Sequence, residues 1–155
     1  MEQDYITDII NKYEKDLQKV KVYGMEQDYI HSIIHKYEED LQKVKQDGYH
    51  LKFVKKQTHE ICLAAIKQNG YALKFIKEQT PELCLEAVKR NGRALQFVKE
   101  QTYEICLVAV KEYAWTLNHI KEQTYCLEAV KHYGYALEFV KNPLIKAQIE
   151  LELQL

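Results

Sequence analysis

One 22-residue unit recurs along most of this chain, and that period restricts the fold more than any other property of the sequence. Thr58, Thr80, Thr102 and Thr124 stand 22 residues apart, and so do Gln57, Gln79, Gln101 and Gln123. A fixed period of this size marks stacked supersecondary units, each burying its apolar surface against its neighbours. The unit from Thr80 to Gln101 shows the local design. Thr80 is a good N-cap, Pro81 suits the first helical position because no amide hydrogen is needed there, and Glu82 faces the positive end of the helix dipole. Leu83-Cys84-Leu85-Glu86-Ala87-Val88 supplies a broad apolar face, and Lys89 and Arg90 fall in the last turn, where cations are favoured. Asn91-Gly92 reads as a stop, with the glycine free to take the left-handed conformation. A second short helix is expected over Arg93 to Glu100, carrying Ala94, Leu95, Phe97 and Val98. Each unit is then a pair of helices of about two to three turns, too short to persist alone. The expected fold is all-α: a solenoid of short helical-hairpin repeats. Its core is a stripe of Ile, Leu, Cys, Ala and Val from the first helices and Leu, Phe and Val from the second.

The fourth unit departs from the pattern. Ala114 replaces the turn glycine, Trp115 stands where Tyr71 and Arg93 stand, and His119 replaces Phe75 or Phe97. Ala114 to Gly134 spans 20 residues instead of 22. The first helix there must be shorter or start differently, and a kink in the stack is expected.

Both ends differ from the array. Residues 1–24 and 25–48 are a separate duplication, identical at 18 of 24 positions. Ile6, Ile9, Ile10, Tyr13, Leu17 and Val20 recur at helical spacing, and Ile30, Ile33, Ile34, Tyr37, Leu41 and Val44 repeat them. Residues 1–48 are read as two longer amphipathic helices, a cap or an assembly module through which the chain could form homo-oligomers. Residues 49–143 form the repeat solenoid. In residues 144–155, Leu144, Ala147, Leu151 and Leu155 fit a helix stripe, whereas Ile149, Leu151, Leu153 and Leu155 fit a strand. A C-terminal capping helix is expected, because an isolated strand has nothing to pair with.

Charge is uneven along the chain although the net is −1. Residues 1–48 hold seven Lys/Arg against eleven Asp/Glu, and residues 49–143 hold fourteen against ten. The asymmetry is modest, enough to steer a partner. No apolar run approaches the ~20 residues of a membrane helix. Met1-Glu2-Gln3-Asp4 is acidic and no hydrophobic segment follows, so no leader is read and a soluble, cytoplasmic protein is expected. Cys62, Cys84, Cys106 and Cys126 occur once per repeat. Equivalent positions in stacked helices lie ~10 Å apart, too far for a disulfide, so these are read as buried reduced thiols.

No Ser/His/Asp order, P-loop or dinucleotide-binding glycine motif is present. His31 and His35 share a helix face but lack the intervening acid of a metalloprotease motif, and they are read as surface residues. No catalytic residue, metal site or cofactor is assigned, and the chain is read as non-enzymatic. Comparison between repeats points elsewhere. Framework positions barely change, whereas three positions vary freely. One holds Tyr49, Tyr71, Arg93, Trp115 and Tyr135; a second holds Lys52, Lys74, Gln96, Asn118 and Glu138; a third holds Gln68, Arg90, Glu112 and His132. Tyr, Trp and Arg dominate interface hot spots. Tyr71, Arg93, Trp115 and Tyr135, with Lys74, Gln96 and Asn118, are therefore the candidate surface for a protein partner. The alternative is a nucleic-acid-binding solenoid: Lys55, Lys77, Lys99 and Lys121 recur once per repeat and could track a phosphate backbone. A third reading is a structural, self-assembling component.

The unit EICLAAIKQNGYALKFIKEQT (Glu60 to Thr80) resembles a family of short bihelical repeats known only as a domain of unknown function. The pattern covers about residues 46–142, strongest over Gly70 to Val110 and weakest over Ala114 to Cys126. The family is abundant in giant DNA viruses and occurs in some bacteria. The resemblance implies an α-solenoid and, by its distribution, a viral source with the protein in host cytoplasm; a host or viral protein is then the expected partner of the interaction surface read above. It carries over no catalytic residues.

Overall fold

A computed structural model describes residues 27–154 of the chain. Every regular element among the described residues is helical. Helix α1 spans Gln27–Gln46. Short 3-10 helices then alternate with α-helices: η1 (Gly48–Phe53), α2 (His59–Gln68), η2 (Gly70–Phe75), α3 (Pro81–Arg90), η3 (Gly92–Phe97), α4 (Tyr103–Glu112), η4 (Ala114–His119), α5 (Gln123–His132), η5 (Gly134–Phe139) and α6 (Pro143–Leu153). The second element of each unit is thus a six-residue 3-10 helix, and the one in the third unit ends at Phe97 rather than at the Glu100 expected from sequence.

The chain divides into two compact units, Met1–Lys43 and Val44–Leu155. In the first, Tyr37 and Leu41 are buried, Ile33 and Ile34 are half-buried, and His31 and His35 are exposed. Lys36 pairs with Glu39 and Asp40, and Lys43 with Glu39, at helical spacing. The first duplicate helix lies outside the described residues.

The second unit is the solenoid. The α-layer buries one residue set per repeat: Ile61, Leu83 and Ile105; Cys62, Cys84, Cys106 and Cys126; Ala65, Ala87, Ala109 and Ala129; Ile66, Val88, Val110 and Val130. The 3-10 layer contributes Leu51, Leu73, Leu95 and Leu117, and Val54, Ile76 and Val98 follow it. Phenylalanine contributes less to this stripe than the sequence implies: Phe53 is 66 % exposed, and Phe75, Phe97 and Phe139 are only half-buried, Phe139 packing against the core from its edge. The four cysteines are buried and unpaired. Burial pushes Cys62 and Cys126 up to about 11 and Cys106 to about 12, so all three stay protonated near neutral pH.

Each α-helix from α2 to α4 opens on a threonine whose hydroxyl accepts a backbone N–H: Thr58 from Ile61 (3.3 Å), Thr80 from Leu83 (3.3 Å) and Thr102 from Ile105 (3.4 Å). The residue between the two helices of a unit caps the 3-10 helix in the same way. Asp47, Asn69 and Asn91 accept from Tyr49, Tyr71 and Arg93 at 2.9–3.0 Å. The glycine that follows is needed for space rather than for a left-handed turn; among the described residues the only positive φ of a non-glycine residue is at Gln154, and no described glycine adopts a left-handed φ. A Cβ on Gly70 would lie 2.7 Å from the Ala87 carbonyl oxygen of the next repeat, and one on Gly48 2.6 Å from that of Ala65. The small alanine of each α-helix and the glycine of the preceding turn together permit this close stacking.

The shortened unit keeps its helix. Helix α5 has ten residues like its neighbours, and the deficit falls in the linker. Residues 54–58, 76–80 and 98–102 join earlier 3-10 helices to the next α-helix, whereas only 120–122 do so here. Thr124 therefore lies inside α5, and the cap falls to Glu122, whose side chain accepts no backbone N–H. Helix α6 follows an equally short linker, 140–142, and Asn142 caps it by accepting from Leu144 (3.0 Å) and Ile145 (3.3 Å). The helical reading of the tail holds, but the inward stripe is Ile145, Ile149 and Leu153. Of the stripe expected from sequence, the described members face out: Leu144 is 80 % and Leu151 79 % exposed, and Ala147 is exposed. Ile149 occupies the place of the stacking alanine, and a Cβ on Gly134 would meet nothing within 4 Å. The bulkier side chain holds α6 farther off than one repeat holds the next.

Candidate interaction face

Two of the three variable sets lie on the 3-10 layer, where stacking turns them into a run of aromatic and cationic groups; the third, Gln68, Arg90, Glu112 and His132, ends the α-helices. Tyr49 meets Phe75 of the next repeat edge-on at 5.9 Å, and Tyr71 meets Phe97 at 5.8 Å. The ring quadrupole favours this geometry. Lys74 sets its amine over Tyr49 (5.1 Å) and Phe75 (4.7 Å). In the third repeat Arg93 replaces the tyrosine, and its guanidinium lies over Trp115 (5.2 Å) and Tyr113 (5.6 Å). Trp115 packs edge-on against His119 at 5.0 Å. Tyr135, the last of the row, is 57 % exposed and touches Tyr133. Phe75, Phe97 and His119, which the sequence places among framework positions, are thus members of this face. The signal available was their half-polar surroundings: a Lys, Gln or Asn precedes each.

The seven candidate residues do not behave alike. Lys74, Gln96, Arg93 and Tyr135 are exposed, and among the described residues no carboxylate pairs with Lys74 or Arg93. Tyr71 and Trp115 are half-buried, and the Trp115 indole Nε1 is buried with no acceptor. Asn118 is half-buried and works inside the chain, donating to the Trp115 carbonyl (2.9 Å) and accepting from the Lys141 amide (3.3 Å).

The linkers carry two further ladders. Gln57, Gln79 and Gln101 each tie one repeat to the next. The Gln79 amide donates to Leu73 O of its own repeat (3.3 Å) and to Phe97 O of the next (3.0 Å), and its oxygen accepts from Lys99 N (3.0 Å). Gln57 makes the same three bonds to Leu51, Phe75 and Lys77, and Gln101 to Leu95, His119 and Lys121. An invariant polar residue in a linker was the sequence signal for these rungs. The lysine row runs beside them: Lys77 Nζ donates to Lys55 O (2.9 Å), Lys99 to Lys77 O (2.8 Å) and Lys121 to Lys99 O (3.0 Å). Each amine is therefore tied to the carbonyl of the preceding lysine in the row.

Among the described residues, no group of three or more His, Cys, Asp or Glu is placed to hold a metal, and no helix is long and apolar enough to cross a membrane.

The profile of a family described as a domain of unknown function, DUF4116, matches residues 41–79 and 80–124. No curated protein and no solved structure matches the chain. Each match spans about two hairpin units, and the second ends at Thr124, where the linker shortens and the threonine cap is lost. The hydrogen-bond devices just described are thus intact where the family pattern is recognised, and with more than half of its residues inside those two matches the chain belongs to the DUF4116 family.

Proposed function

We propose that the chain is a non-enzymatic protein-interaction module whose contact surface is the aromatic and cationic row of the 3-10 layer. One observation carries this reading: Arg93 is exposed, stacked on two aromatic rings and faced by no described carboxylate. A stacked guanidinium is held in place and keeps its in-plane donors for a partner, at low cost in side-chain entropy. With Lys74 one repeat away, the face suits an acidic or carbonyl-rich protein segment. The competing reading, a nucleic-acid binder on the lysine row, is weakened because Lys77, Lys99 and Lys121 serve as caps of the preceding repeat.

The test is affinity capture by the intact chain from cells of its source, with and without nuclease, repeated with the surface variant Lys74→Ala/Arg93→Ala. Loss of one nuclease-resistant partner in the variant, at unchanged Tm, supports the face. Equal capture by both proteins refutes it. Recovery that vanishes with nuclease and falls steeply with salt favours the lysine row instead.

A further inference from the structure

We propose that the fourth and fifth units present a docking rim for a proline-rich protein segment in the polyproline II conformation, with an acidic residue ahead of two prolines spaced three apart. This rests on the reading of the 3-10 layer as an interaction face and names the chemistry of its partner. The observation behind it is a change at the residue between the two helices of a unit. Asp47, Asn69 and Asn91 accept a backbone N–H there and cap the 3-10 helix. Tyr113 and Tyr133 hold the same place in the fourth and fifth units, and neither side chain makes that bond. A phenol is too long and rigid to turn back onto the amide two residues on, so local stability does not account for tyrosine here. The rings go to the surface instead: Tyr113 is 45 % exposed, and Tyr135, two residues after Tyr133, is 57 % exposed.

Stacking sets these rings in pairs one repeat apart. The Arg93 guanidinium spans the first pair, 5.6 Å from Tyr113 and 5.2 Å from Trp115. Tyr133 and Tyr135 form the second, edge-on at 6.2 Å, and η5 lies against η4. Equivalent points on stacked helices are ~10 Å apart. A polyproline II helix has three residues per turn and rises ~3.1 Å per residue, so it presents the same face every ~9.3 Å. Two prolines three apart then meet one ring pair each. A β-strand returns to the same face every ~6.6 Å and falls out of step with the rim. An α-helix keeps step every seven residues, but its carbonyls are already bonded within the helix. Polyproline II leaves its carbonyls open to donors such as the hydroxyls of the exposed Tyr113 and Tyr135. Charge sets the direction of the segment, because Arg93 stands at one end of the rim and the exposed Glu138 of η5 at the other.

The experiment is a titration of the intact chain with the peptide Ac-Glu-Ala-Pro-Pro-Ala-Pro-Pro-NH2, followed by the emission of Trp115, the one tryptophan of the sequence. A saturable change with a Kd below about 1 mM is expected. Three controls should bind at least about tenfold more weakly: the peptide with glycine for every proline, the peptide with lysine for glutamate, and an alanine-rich helix former of about 15 residues opening on glutamate. No saturable change, or equal binding of any control, overturns the proposal.

Tyr113→Asn/Tyr133→Asn restores the cap residue of the second and third units. It should raise Tm while weakening the proline peptide at least about tenfold, a combination that damage to the fold does not produce. A folded variant that binds the peptide unchanged also overturns the proposal, and the peptide series on the unaltered chain decides by itself if the variant does not fold. Failure of the peptide, with a captured partner still lost in Lys74→Ala/Arg93→Ala, refutes the proline segment and leaves the interaction face standing.

Discussion

Replacing Gln79 by alanine should cost about 2–3 kcal/mol of folding stability. The figure follows from what the rung leaves behind. Leu73 O still accepts from Ile76 N at 3.1 Å, so it is not orphaned. Phe97 O and Lys99 N lose their partner. An orphaned buried backbone group costs about 1–3 kcal/mol. Lys99 is exposed and its amide can rehydrate, so its share lies near the bottom of that range. Set against a total stability of about 5–15 kcal/mol, the change is large. Urea unfolding followed by circular dichroism at constant slope measures it directly. Gln79→Glu separates hydrogen bonding from packing. The carboxylate can still accept from Lys99 N, but it faces Leu73 O and Phe97 O, so this variant should lose at least as much as alanine at neutral pH. Those carbonyls raise the folded-state pKa of the new carboxyl. The loss is therefore full at pH 7 and shrinks as pH falls through that raised value, when the acid can donate again. A loss below about 0.5 kcal/mol for Gln79→Ala, the level of an ordinary surface change, would refute the rung as a tie between repeats.

Other outcomes follow from the same geometry. Gly70→Ala forces a Cβ to 2.7 Å from Ala87 O and should lower stability by about 1–3 kcal/mol, whereas Gly134→Ala meets nothing and should be neutral or gain about 0.4–1 kcal/mol, both read from urea midpoints. Glu122→Asp gives α5 the short acidic cap it lacks and should raise stability by about 0.5–1 kcal/mol, seen as a higher Tm. Cys62, Cys106 and Cys126, raised by burial, should resist thiol reagents at pH 8 in the native chain and react fully in urea. Because the unfolded thiols ionise first, they also remove stability as pH rises above about 9, not below it.

Most of the fold could be read from the chain because each device sits at a fixed place in the period. Thr80 and Pro81 mark a helix start through groups that only a helix end leaves free, and the structure starts α3 there. The second helix was expected to run to Glu100, whereas it stops at Phe97 as a 3-10 helix. Its apolar spacing, Ala94, Leu95 and Val98, suits either helix, and what decides is the extended linker that must follow at once to present the next glutamine. Gly92 was recognised as necessary, but the reason lies in the Ala109 carbonyl of another repeat, which local sequence does not show. Of the candidate face, the Tyr/Arg/Trp row was visible through variation between repeats. Its stacking partners Phe75, Phe97 and His119 were not, because residue type alone placed phenylalanine in the core.

The glutamine rungs also govern how such a chain can change length. Each rung binds a linker exactly one period ahead, so gain or loss of a whole unit leaves every remaining rung with a partner, as does duplication by unequal exchange. A change of any other size strips a rung from one junction. Here a two-residue deficit moves Gln123 out of the linker and onto the start of α5 between the fourth and fifth units, and the preceding junction keeps its bonds. Length in this lineage is therefore expected to vary in steps of 22 residues, with partial steps tolerated where a substitute such as Asn118 is at hand.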